Sequence, residues 1–290
     1  ENIVCLVDGF TVELNPKVRH KLNSIPLDKK NNVYITYLPD ATENDILETV
    51  DFVSKQELTP ITHLPARTMK DLDHVSDFLK ELRNRTDSKK ILVIGGGGNQ
   101  NGSVSSSLEI LECGLLKDND FEEIGIAGHP EGSPDIDQNT VNEFLNKKYE
   151  LSKDKNLNLE LVTQFFFNAE PFIKWCKFLD NSNIKLPVRV GFPGPASFKT
   201  LLNFGIMSGV GNSLSFLKKN SSKVTDLLTK TSNDEMFIEL ANFSKEQSSF
   251  KNFHCFPFGG FEKTCHWLNA LQNGDFTMEN DKIVLHNKIF

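Results

Sequence analysis

Short apolar runs rich in β-branched and aromatic residues alternate along this chain with longer stretches whose apolar residues recur at three-to-four spacing. The runs at 10–14, 33–38, 60–64, 91–95, 123–128, 160–166, 187–191 and 252–256 have the length and composition of strands. Between them, residues 45–55, 70–82, 105–112, 140–152 and 171–179 gather their apolar positions on one helical face. Successive runs begin about 30 residues apart, the length of one strand–helix unit, apart from a longer interval before the last. Eight such units predict an α/β protein in which residues 1–290 form one (β/α)8 TIM barrel. An open doubly wound sheet usually needs fewer strands. The interval 197–251 is expected to hold two or three helices, with turn signals at 208–212 and 220–222.

A barrel makes a geometric claim, because ligands bind at the carboxyl ends of its strands. At or just past those ends stand Glu13, Thr36, His63, the run Gly95, Gly96, Gly97 and Gly98, then His129, Gln164, residues 191–195 and Gly259. Turn chemistry accounts for the glycines and prolines. It does not account for a glutamate, two histidines and a glutamine converging on one rim from distant parts of the sequence.

Composition narrows the partners. The chain carries 32 basic and 39 acidic residues, a formal charge of −7, with both signs interspersed. That disfavours nucleic acid or an anionic membrane as the main partner, yet leaves room for a small anion in a local positive patch. Five cysteines without a CxxC pair read as reduced thiols, and no apolar run approaches a membrane span. With no signal peptide at the start, a cytoplasmic protein is expected. Homo-oligomerisation is left open.

Several residues are candidates for chemistry. Glu13, in FTVELNPK, is an acid inside an apolar strand; it is either a general acid with a raised pKa or a structural glutamate paired with a base. His63, in ITHLPAR with Arg67 beyond it, is a structural or a catalytic strand-end histidine. ILVIGGGGNQNGS is a generic glycine turn or a cradle whose N–H groups approach a phosphate or planar ring. It has neither Walker nor dinucleotide spacing. Lys147 and Lys148 are a solvated helix face or an anion contact. Gln164 opens QFFF; its amide can pair with the edge of a flat heterocycle among aromatic walls from Phe165, Phe167 or Phe192. Strand alternation puts Gln164 and Phe166 on one face, so that Phe166 would line the barrel interior below a mouth-facing Gln164.

GIAGHPEGSP (125–134) and LVTQFFFN (161–168) together resemble the methylenetetrahydrofolate reductase family. The resemblance runs in order along essentially the whole chain. It is strongest in strands five and six and weakest at strand four, and covers the catalytic barrel only, so control by S-adenosylmethionine is not expected. It implies that Glu13, with Pro16 following, protonates the folate. Thr36 and the THL around His63 would contact a flavin, FAD, and Lys148 its diphosphate. His129 stands where the family commonly has Tyr, and Ser133 where it often has His. Gln164 would read the pterin, with Phe192 and Phe198 of GFPGPASFKTL stacking on the ligand's rings. HCFPFGGFEKTCHW resembles the family's closing His-Phe-Tyr strand, with Gly260, Phe261 and Glu262 where Arg-Ala-Glu is usual.

The main departure is at Gly97, beside Gly96, where the family carries an Asp near the flavin. The resemblance therefore implies a flavoprotein oxidoreductase, with weakly held FAD and NADH or NADPH as electron donor. It would interconvert 5,10-methylenetetrahydrofolate and 5-methyltetrahydrofolate in one-carbon metabolism and methionine biosynthesis. The alternatives are a folate-binding barrel without redox activity and a same-fold reductase using a non-flavin hydride carrier.

Overall fold

The structure is a computed structural model that describes residues 2–97, 99–134, 136–208, 230–231, 234–245, 247, 249–280 and 282–287. Eight parallel strands close into a barrel: β1 Thr11–Leu14, β2 Asn32–Ile35, β3 Thr59–Pro65, β4 Lys90–Ile94, β5 Glu123–Gly128, β6 Asn158–Thr163, β7 Val188–Pro193 and β8 Phe250–Phe256. Closure is made where β8 pairs with β1, Thr11 opposite His254 and Val12 opposite Cys255. This is the (β/α)8 barrel that the apolar periodicity predicts.

Every predicted helix is present. They run Glu43–Lys55, Leu72–Arg85, Ser107–Glu112, Gln138–Lys155 and Ala169–Asn181. Each starts at a polar residue whose side chain accepts a backbone N–H of the first turn: Thr42, Asp71, Ser106, Asp137 and Asn168. Thr42 and Asp45 complete a reciprocal capping box. Within the long interval before β8, helices Phe198–Met207 and Asp234–Phe243 are described. The turn signals at 209–212 and 220–222 lie outside the described residues. An opening helix, Asn2–Val7, packs on the last one, Phe261–Asn273, and a hairpin of Phe276–Glu279 with Lys282–Leu285 follows. Among the described residues no helix is long and apolar enough to cross a membrane.

Two strands end earlier than the sequence pattern suggests. β2 stops at Ile35 rather than Leu38, and β6 stops at Thr163 rather than Phe166. The apolar residues beyond them serve other packing. Phe166 stacks on Phe172 at 5.4 Å and belongs to the layer between strands and helices. It does not line the barrel interior, because period-two alternation no longer applies once the strand has ended.

The barrel interior has two layers. At mid-height Tyr34, Ile61, Leu92 and Val162 form a small apolar cluster. Below it is a charged base. Arg189 Nε donates to Glu160 Oε1 at 2.6 Å and its guanidinium to Asn252 Oδ1 at 2.8 Å, while Lys251 Nζ lies 2.7 Å from Glu160 Oε2. Tyr34 adds its hydroxyl to Glu160 at 3.3 Å. Burial pushes the Glu160 carboxyl up, but Arg189 and Lys251 outweigh it and hold the group below its ordinary value. Gly191 on β7 is needed for close approach: a Cβ there would fall 2.3 Å from the Thr163 carbonyl oxygen.

This base predicts an asymmetric response to mutation. Glu160→Ala strands a buried guanidinium and should cost about 3 to 5 kcal/mol in urea unfolding, whereas Glu160→Leu with Arg189→Met should recover much of that loss. Equal losses in the two proteins would show that shape, not charge, sets the cost.

Candidate functional site

A cavity of about 660 Å³ occupies the carboxyl-terminal end of the barrel. Its inner part is made by residues that point into the barrel from β1, β3 and β8: Glu13, His63 and His254. Its outer part spreads over the ends of β4 and β5 to the helix Gln138–Lys155, and is walled by Gly95, Gly96, Gly97, Ser105, His129, Ile136, Phe144 and Lys148. Gln164, Phe256 and Ser208 border the cavity beyond β6 and β8.

The inner part holds one acid between two imidazoles. Glu13 Oε1 lies 3.5 Å from His254 Nε2 and 3.7 Å from His63 Nε2, and its side chain retains 17% exposure. His254 is fully buried, and its Nδ1 is 2.8 Å from Thr11 Oγ1. Burial pulls His63 down to about 4, against the opposing pull of Glu13, so this ring is neutral at pH 7. Among the described residues no group of three His, Cys, Asp or Glu side chains is arranged to hold a metal ion.

The outer part is basic and partly apolar. Lys148 points into it, and burial lowers its ammonium to about 8. Among the described residues it has no carboxylate partner. Neighbouring Lys147 is exposed and pairs with Glu143, so only Lys148 of the two faces the cavity. His129 is held down to about 4, by burial first and by Lys148 second. The floor is backbone. Gly96 has φ +84°, and a Cβ on it would strike Pro65 at 2.9 Å, whereas a Cβ on Gly97 would meet nothing within 4 Å. Loop 95–103 is stitched to the loop after β3: Arg67 N–H donates to Gly95 O at 2.9 Å and Asn101 N–H to Arg67 O at 2.8 Å.

Of the residues proposed from sequence, Glu13, His63, Gly96, Gly97, His129, Lys148 and Gln164 share this cavity. Two do not line it. Thr36 is buried at the rim, and its hydroxyl donates to Leu14 O at 3.3 Å, tying β2 to β1. Phe192 faces the other way, packed against Phe237, Phe253 and Trp267 in the outer core. Its assignment as a ligand contact is corrected: Arg189 and Gly191 are the inward positions of β7, so Phe192 must point outward. Phe165 and Phe167 join Phe256 and Phe258 in a small cluster near the mouth, of which Phe256 lines the cavity. Gln164 donates from Nε2 to Ser208 O at 3.1 Å, and among the described residues its amide oxygen has no hydrogen-bond partner.

His254 was not singled out from sequence. Its signal is the alternation in NFHCFPF, where Phe253 and Cys255 are core-facing and Asn252, His254 and Phe256 take the interior.

No family model matches the chain. A solved structure of an uncharacterized protein from Clostridium thermocellum, described as binding two copies of 5-methyl-5,6,7,8-tetrahydrofolic acid, is similar in fold. The TM-score is 0.58 at 14% identity over 91% of this chain and 93% of that one. At that identity the likeness is one of fold.

The buried imidazole of His63 gives a pH signature. Its folded value of about 4 lies below the ordinary 6.5, so the unfolded chain takes up the proton first. The contribution is complete above that ordinary value and is lost as pH falls toward the folded one, at up to ~1.4 kcal/mol per pH unit. Between pH ~6.5 and ~5 the stability of the parent should fall about 1 to 2 kcal/mol more than that of His63→Asn, read from urea midpoints. Parallel pH curves would show that His63 is not held neutral by burial.

Proposed function

We propose that this protein binds a reduced folate at the barrel mouth and, with a flavin, interconverts 5,10-methylenetetrahydrofolate and 5-methyltetrahydrofolate. The observation that carries the reading is the meeting of Glu13, His63, His129, Lys148 and Gln164 in one cavity. The resemblance to methylenetetrahydrofolate reductases assigns all five to the site, with His129 standing where the family commonly has Tyr. The solved protein of similar fold, described as binding methyltetrahydrofolate, supports the folate part of the reading.

In this reading the inner and outer parts of the cavity divide the work. Gln164 has an amide oxygen to offer a pterin edge, and Glu13 supplies a carboxyl proton as the one-carbon bridge of the folate opens. Neutral His63 borders the same space and adds no positive charge that would favour the ionised form of that carboxyl. The outer part fits a flavin in its backbone floor at Gly96 and Gly97 and in Lys148, which has no carboxylate partner among the described residues and suits a diphosphate. It departs from the family in having no carboxylate at position 97. A bound flavin would supply hydride exchange with the folate one-carbon unit, replenished by NADH or NADPH. The chain's own contribution is to hold the two ring systems together and keep water from them.

The same departure supports the rival reading, a barrel that binds folate without redox chemistry. A carboxylate-bearing tail of a folate would satisfy Lys148 as well as a diphosphate does.

Gln164→Ala should weaken binding of 5-methyltetrahydrofolate about 5- to 150-fold, the consequence of leaving pterin polar groups unpaired at roughly 1 to 3 kcal/mol. Calorimetry with that ligand checks this. Undiminished affinity would remove Gln164 from the folate site.

Freshly purified protein, or protein given FAD, should show the visible absorbance of a bound flavin that is partly lost on dilution, and Gly97→Asp should retain it better. Absence of the band in both proteins would favour the non-redox binding reading. A band indifferent to Gly97→Asp would break the strand-four correspondence.

A further inference from the structure

His254 touches the acid of the cavity and has no role in the reading above. It is fully buried on β8, and its two nitrogens face different partners. On one side Thr11 Oγ1 lies 2.8 Å from Nδ1. The same hydroxyl is placed to donate to Phe253 O at 3.4 Å. A hydroxyl has one proton, so when it goes to that carbonyl the oxygen presents a lone pair to the imidazole. Nδ1 must then carry the ring's proton. In that tautomer the neutral ring turns an Nε2 lone pair toward Glu13 Oε1, 3.5 Å away, and among the described residues Nε2 has no hydrogen-bond partner. A lone pair facing a carboxyl oxygen calls for one proton between them.

We infer that His254, oriented by Thr11, is a positioning residue that shares a proton with Glu13, so that the pair, not the lone carboxyl, presents the acid to a ligand. With one proton on the pair, it sits either on Glu13, as O–H donating to Nε2, or on Nε2, as an imidazolium donating to the carboxylate. The 3.5 Å separation is long for either bond and would shorten as the site closes on a ligand.

The surroundings keep that proton local. The titratable groups facing His254 are Glu13 from β1, Tyr34 from β2, whose ring lies 4.5 Å away, and His63 from β3. β7 presents Gly191 opposite His254 and brings no titratable group at that height. One layer down, the charges of Glu160, Arg189 and Lys251 are committed to one another. Burial pushes the Tyr34 hydroxyl far up, and burial holds His63 neutral. Neither takes part in the exchange near neutral pH.

For catalysis the inference rests on Glu13 being the acid of the folate reading, but the proton sharing can be tested without substrate. Imidazole nitrogen NMR of the full chain labelled with 15N-histidine, assigned with His254→Gln, should show His254 with its proton on Nδ1 when neutral. Glu13→Gln should move the His254 Nε2 resonance at neutral pH, because an amide cannot share a proton with the imidazole as a carboxyl does. Thr11→Val should erase the tautomer preference, and Thr11→Ser should restore it. A neutral His254 with its one proton on Nε2 instead of Nδ1 overturns the inference, and so does a His254 Nε2 resonance unmoved in Glu13→Gln. Where methylenetetrahydrofolate turnover is present, His254→Gln should move the pH profile of kcat more than KM, and an unmoved profile overturns the positioning role. Parent protein that neither binds nor turns over folate would sink the folate reading, while the imidazole spectra still decide whether the proton is shared.

Discussion

Everything at the mouth of this barrel stands on the buried ion pair between Glu160 and Arg189. A closed eight-stranded sheet has an interior that must be filled, and here the lower half is filled with charge. The pair is stable because no group in it lacks a partner: Arg189 reaches Asn252, Lys251 takes the second carboxylate oxygen, and Tyr34 adds its hydroxyl. Tyr34 then carries the order upward. Its ring meets His254, and His254 faces Glu13. One contiguous set of contacts therefore runs from the charged plug to the acid in the cavity.

Above the plug the cavity has two different electrostatic characters. The inner part collects an acid and two imidazoles with little solvent, and burial keeps one of those rings, His63, neutral. The outer part presents the backbone of Gly95, Gly96 and Gly97 and an ammonium made easier to neutralise by burial. The fold separates these by supplying them from different strands. β1, β3 and β8 furnish the inner part, while β4, β5 and the helix after β5 furnish the outer.

Much of this was legible in the sequence because a barrel maps strand ends onto one rim. Finding the strand ends was enough to bring Glu13, His63, His129 and Gln164 together. What the sequence hid was the direction of side chains where a run outlasted its strand, or where alternation was not followed through. Phe166 lies past the end of β6, so its face could not be read by counting in twos. Phe192 could have been placed outward from Arg189, since a charged residue between two valines belongs inside only with a partner. That partner, Glu160, sits between two leucines on the adjacent strand. Two lone charges at matching depth in neighbouring apolar strands were the signal for the base, as alternation through NFHCFPF was for His254. The choice between Lys147 and Lys148 needed the phase of their helix against the barrel.

Lys148 has a consequence for how ligands arrive. The protein as a whole is an anion, with a formal charge of −7, and at long range it repels a negatively charged small molecule. Lys148 and Arg67 are cations lining the cavity itself, and at physiological ionic strength charge is felt over about 8 Å. Added salt therefore screens the distant repulsion first and the near attraction last. On the folate reading proposed, capture of the anionic ligand would be governed by the few ångströms at the mouth and not by steering from afar, the reverse of proteins whose overall field draws their partners in.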